Sequence, residues 1–214
     1  MPHFKTTSIA LLGLLLAGCA GDSLRRVDAL SQAPAPLNIS QESAVQALKA
    51  APNCCSGLST LPYTPLEPGF SGNVVIDRHA PAFEFKSGKS FFRAFKLPQH
   101  SRSFEIRLYS QAGDTVLAPN AMLLDSRFHT TRLLGVEDFS YVPAQGLKGD
   151  SLDARVRVDR LYLDNPGNES YLVLYTSAAQ MAGKTIIEHP AKAYAKARGN
   201  QPPNIPDLMA KHAP

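Results

Sequence analysis

The chain has 214 residues, with 22 Lys or Arg against 18 Asp or Glu and a formal charge of +4. That length suffices to bury one sizeable core. The slight positive balance, with no basic run interleaved with aromatics, argues against nucleic acid as a partner.

The first segment is a targeting signal rather than part of a fold. Lys5 supplies a positive flank, Ile9 to Ala17 form an apolar stretch, and Ala17 and Gly18 precede Cys19. This arrangement predicts an export signal over residues 1–18, cut before a cysteine that then carries lipid. The stretch is shorter than the about 18 to 20 apolar residues of a membrane span. Three acyl chains on the mature cysteine, at about 0.8 kcal/mol per buried CH2, would make attachment effectively permanent. Ala20 follows the cysteine where Asp would mark inner-membrane retention, by analogy with bacterial lipoprotein sorting. The expected location is therefore the periplasmic face of the outer membrane in a Gram-negative envelope. Residues 19–39, with Ser31, Gln32, Pro34, Ala35 and Pro36 and little periodicity, read as a flexible tether. One domain is expected over residues 40–214.

Within that domain, Ser40 could cap a short helix that places Ala44, Val45, Leu48 and Ala51 on one side and is stopped by Pro52. From Leu58 onward the pattern is that of strands. Phe91, Arg93, Phe95 and Leu97 alternate with Phe92, Ala94 and Lys96, and Phe104, Ile106 and Leu108 with Glu105, Arg107 and Tyr109, which predicts two half-buried strands. Residues 73–77, 81–86, 122–128, 152–163 and 171–176 supply further candidates between Gly-Lys, Gly-Asp and Asn-Pro-Gly turn signals. Leu152, Ala154, Val156 and Val158 face one way and Asp153, Arg155, Arg157 and Asp159 the other, as in a sheet with one wet face. Seven or so short strands without intervening periodic helices predict an all-β fold, an antiparallel β-sandwich with short flanking helices. Near the end, Pro190 opens a helix rich in alanine that runs to Gly199. Pro202, Pro203 and Pro206 then enforce an extended strap along the sandwich or a partner.

Cys54 and Cys55 are the other cysteines. Adjacent α-carbons lie about 3.8 Å apart, below the usual disulfide spacing of about 4.4 to 6.8 Å, so a bond between them would be strained. A vicinal disulfide, two free thiols and intermolecular pairing all stay open. A redox or metal role lacks C-x-x-C spacing and a nearby histidine. His79, His100, His129 and His189 form no H-x-x-x-H pair and read as surface or loop residues, so no metal and no cofactor are expected. Gly-Asp-Ser-Leu, which opens the sites of a large lipolytic esterase family, occurs at residues 21–24 and 149–152. Neither copy follows a first α/β strand, and Asp207 and His212 are five apart rather than three, so no base is placed to activate a serine.

Longer runs carry more. APNCCSGLSTLPYTPL at residues 51–66, GKSFFRAFKLP at 88–98, HPAKAYAKARGN at 189–200 and PPNIPDLMAKH at 202–212 resemble the maltose operon periplasmic protein (MalM) family. The likeness runs from about Gln41 to His212. It implies an exported, non-enzymatic accessory protein linked to maltose and maltodextrin uptake, with no catalytic residue to carry over. Two departures stand out: the lipoprotein cysteine, where the familiar member is soluble after cleavage, and an end near His212, where longer relatives continue.

A glucan site would combine aromatic platforms with planar polar groups. Tyr109, Phe128, Tyr141, Tyr162 and Tyr175 are the candidate platforms, and Asp125, Arg127 and Asp159 the candidate polar contacts. The alternative is a structural or docking lipoprotein that engages a porin, a transport protein or another envelope protein, with Lys192, Lys196 and Arg198 as its contacts.

Overall fold

The computed structural model describes residues 41–99, 102–113, 115–144, 149–160, 165 and 167–212. The expected leader over 1–18, the tether over 19–39, Cys19, Ser40 and Tyr162 lie outside the described residues. Helix α1 (Gln41–Ala50) buries Ala44 and Leu48 against Phe91 and Met181, as its apolar spacing predicts. A single 3-10 turn over Leu58–Thr60 follows. The strands are β1 (Tyr63–Pro65), β2 (Ala82–Phe85), β3 (Gly88–Lys96), β4 (Phe104–Gln111), β5 (Thr115–Val116), β6 (Asn120–Leu124), β7 (Thr130–Leu134), β8 (Ser140–Val142), β9 (Ser151–Val158) and β10 (Tyr171–Ser177). Helix α2 (Ala178–Met181), β11 (Lys184–Ile187), α3 (Pro190–Ala197) and β12 (Leu208–His212) complete the order.

The largest sheet has the order β1-β3-β10-β6-β7, with β2 also paired to β3. One edge of β3 is shared: β2 takes its first half antiparallel and β1 its last residues in parallel. β4-β9-β8 form a second sheet and β11-β12-β5 a third. Alternation along β9 explains how they stack. Val156 and Val158 pack on Phe95, Leu97, Ala121, Leu123 and Leu172 of the large sheet. Leu152 and Ala154, on the same face of β9, pack on Val116, Ile187 and Ala210 of the third sheet. The β4-β9-β8 sheet is therefore one layer, and the other two sheets lie against it. Its outer face is wet, pairing Glu105 with Arg157, Arg107 with Arg155 and Tyr109 with Asp153 in register.

The sandwich and its flanking helices match the sequence reading, with three local corrections. β3 is buried on both faces, not one: Phe91, Phe95 and Leu97 turn toward α1 and the second layer, and Phe92 and Ala94 toward a separate cluster with Phe85, Met122, Val173 and Tyr175. Two pairings, β1 with β3 and β12 with β5, are parallel. These short strands reach their partners through long connections rather than hairpins, so no tight turn fixes their direction. Residues 73–77 form no strand. The Val75 carbonyl instead accepts from Arg93 Nε at 2.8 Å.

Candidate functional site

The outer face of the large sheet ends in three half-buried rings. Parallel pairing sets Tyr63 beside Ala94, and β10 sets Tyr171 across from Leu124 on one side and Lys96 on the other. Phe128 comes from the connection between β6 and β7. Its ring stacks on Tyr171 with centroids 4.6 Å apart and planes 19° from parallel. Tyr63 lies 4.5 Å from Tyr171 and 5.8 Å from Phe128. The Tyr63 hydroxyl donates to the Leu58 carbonyl at 2.7 Å. Burial, and then the neighbouring Tyr171, push its pKa far above the usual phenol value, so it remains a neutral donor.

The turn that presents Phe128 is built by Asp125. Its Oδ1 accepts from the Arg127 N–H at 2.8 Å and the His129 N–H at 2.9 Å, and its Oδ2 lies 3.3 Å from His129 Nδ1. Phe128 occupies the left-handed region with φ 64°, the one non-glycine residue to do so among the described residues. A phenylalanine there is strained, and such strain persists only where surroundings over-determine it. Here those surroundings are the Asp125 hydrogen bonds on one side and the Tyr171 ring on the other. Burial raises the Asp125 pKa, but the His129 and Arg127 N–H donors outweigh it and hold the carboxyl below its usual value. Exposed Arg127, His129 and Lys96 rim the rings. Stacked aromatic faces beside planar or cationic donors suit an apolar sugar face and its hydroxyls.

Three of the sequence candidates, Asp125, Arg127 and Phe128, thus fall on one turn, with Asp125 holding the turn rather than offering a free carboxylate. The others lie elsewhere. Tyr175 is 2 % exposed and stacks on Phe85 at 4.2 Å inside the core, so its ring presents no contact surface. Tyr109 is exposed on the wet face of β4. The Tyr141 hydroxyl donates to Asp150 Oδ1 and accepts from the Glu188 N–H at 2.9 Å, tying β8 to the segment after β11. Burial and the Asp150 bond push its pKa up to about 12. Asp159 pairs with Arg157 at the exposed end of β9. On α3, Lys192 pairs with Asp207 at 2.9 Å, Lys196 pairs with Glu188, and Arg198 lies over the Tyr194 ring at 4.6 Å. Two of these three basic groups therefore bind α3 to its own domain. Tyr63, Tyr171 and His129 are the residues that sequence reasoning missed. Alternation of Tyr171 with Val173 and Tyr175 was a visible signal, whereas the position of Tyr63 depends on a parallel pairing.

Cys54 and Cys55 are joined by a disulfide. Cys54 is exposed and lines a shallow groove of about 410 Å³ with Ala47, Ala51, Pro52, Arg78 and Pro81. Cys55 packs against the cluster beneath the platform. Among the described residues, no group of three or more His, Cys, Asp or Glu could hold a metal ion. Ser151, from the second Gly-Asp-Ser-Leu run, is 2 % exposed in β9. The His212 ring is engaged by Thr185 at 2.8 Å and the Gln180 carbonyl at 2.7 Å.

Residues 87–214 match the family model described as maltose operon periplasmic protein precursor (MalM). That span includes Asp125, Phe128 and Tyr171 but not Tyr63 or the disulfide. The maltose operon periplasmic protein of Salmonella typhimurium (strain LT2) is 25% identical over 207 residues, which cover 96% of this chain and 63% of the relative. Its Escherichia coli (strain K12) counterpart is 25% identical over 200 residues, 92% of this chain and 60% of the relative. The chain thus spans about three fifths of the length of these curated relatives. No solved structure matches. With the model match over more than half of its length, the chain belongs to the maltose operon periplasmic protein family.

Proposed function

We propose that the protein is a non-enzymatic periplasmic accessory lipoprotein that binds a maltodextrin-type glucan on the Tyr63–Phe128–Tyr171 platform. The observation that carries this reading is the ring stack itself, fixed by a strained turn and left half open to solvent. Evolution of a strained, aromatic loop tip is more economically explained by a contact than by packing. The names of the relatives, maltose operon periplasmic proteins, support a ligand of the maltose class and a periplasmic setting. Ser151 is buried in β9 and the His212 ring is engaged by Thr185 and Gln180, so neither is presented to a substrate. Attachment at Cys19 to the periplasmic face of the outer membrane completes the reading and rests on the leader pattern alone; labelled palmitate that persists in a Cys19→Ala protein would remove it.

Calorimetric titration with maltose and maltodextrins tests the binding. Saturable heat, weakened about tenfold in Phe128→Ala, is expected, since a stacking contact of about 1 to 1.5 kcal/mol is lost. No heat at millimolar sugar, or equal affinity in Phe128→Ala, overturns the platform. Appearance of shortened glucans would overturn the non-enzymatic assignment.

A further inference from the structure

The register of β11 with β12 places Ile186 directly across from Met209 and Lys184 directly across from Lys211. Residues two apart on a strand share a face, so all four side chains stand together. The opposite face looks inward: Ile187 and Ala210 join the core with Val116, Phe139 and Leu152, and His212 is held by Thr185 and Gln180. Burying that face forces an apolar pair and a like-charge pair outward side by side. Ile186 is 61% and Met209 57% exposed.

Single exposed aliphatics are ordinary, but here they stand beside a like-charge pair. Like charges directly opposite on a ladder repel, and among the described residues neither lysine has an ion-pair partner. Residues 184–212 hold five Lys or Arg against two Asp or Glu. Both acids, Glu188 and Asp207, are committed to Lys196 and Lys192. Within residues 184–212 no acid is therefore left to face Lys184 and Lys211 beside the apolar pair.

We propose that this face rests on a phospholipid bilayer containing anionic headgroups. Ile186 and Met209 meet the boundary between headgroups and acyl chains, and the Lys184 and Lys211 ammonium groups reach lipid phosphates along their methylene stems. A bilayer fits better than an acidic protein. Two apolar side chains are far short of the roughly 800 Å² per partner of a stable protein interface, whereas membrane association accumulates from small apolar and single-charge contributions.

The chain has no tryptophan, so Ile186→Trp introduces a unique reporter. The full chain is mixed with vesicles of phosphatidylethanolamine and phosphatidylglycerol, a fraction of them brominated in the acyl chain. Residue 186 is expected to shift its emission to the blue and to be quenched by bromine, while Tyr109→Trp, on the wet face of β4, shows neither. Replacing phosphatidylglycerol by phosphatidylcholine, or adding Lys184→Gln and Lys211→Gln, should abolish both signals while far-UV dichroism stays unchanged. Identical emission at 186 and 109 in every vesicle overturns the proposal. So does a shift at 186 produced only by an acidic protein. The contrast between two positions on one chain makes the outcome independent of whether the N-terminus is acylated and of sugar binding.

Discussion

Asp125 does the work of several residues at once. Its carboxylate fixes the turn through two backbone donors, and the turn in turn holds Phe128 against Tyr171. Because the folded carboxyl titrates below its usual 3.8, its contribution is fully present above that value. The contribution is lost as pH falls through the depressed pKa. Glucan affinity is therefore expected to show no Asp125-dependent loss near neutral pH and to drop only in strongly acidic solution. Calorimetry across pH checks this, and Asp125→Asn, which cannot gain a proton there, should remove the acid-side drop. An equal drop in the variant would mean that another group controls the turn.

At the scale of elements, β9 joins the layers, since its inward residues serve two sheets in succession. Val156 is 1% exposed. Val156→Asp would bury an unpaired carboxyl and cost several kcal/mol, enough to threaten a marginal domain. Loss of the cooperative thermal transition is the expected result, and a transition within a few degrees of the unsubstituted protein would contradict the packing described. The alternation that makes β9 essential is also what made it readable from sequence, as with β4 and α1. β1, β5, β7, β8, β11 and β12 escaped the sequence reading, and β7 in particular, Thr130–Leu134, has almost wholly exposed side chains without alternation. Val74 and Val75 erred the other way: strand-forming residues there stay exposed outside any strand, because propensity yields to tertiary context. The site was legible only in part for the same reason. Asp125, Arg127 and Phe128 are neighbours in sequence, whereas Tyr63 and Tyr171 reach them through ladder registers. Tyr175 shares an alternation face with Tyr171, yet is covered by Phe85 and the core cluster around it.

Across the whole molecule, the Cys54–Cys55 bond joins adjacent residues and closes no long loop, so it removes little freedom from the unfolded chain. Reduction should leave global unfolding nearly unchanged, within about 1 kcal/mol by denaturant titration, because the sandwich core lies in other residues. A larger change would show that residues 52–61 anchor the fold. The centre of the large sheet has a different consequence. Residue 92 pairs with residue 175 and residue 94 with residue 173, while β4, β5, β8 and β9 all lie in the excursion between them. A chain that emerges N-terminus first presents β3, a strand buried on both faces in the fold, well before its neighbour β10 is there to pair with it. Such non-local pairing folds slowly and leaves a sticky, unpaired strand exposed in the interval. Until residue 177 is in place, correct folding therefore depends on β3 staying clear of other unpaired strands.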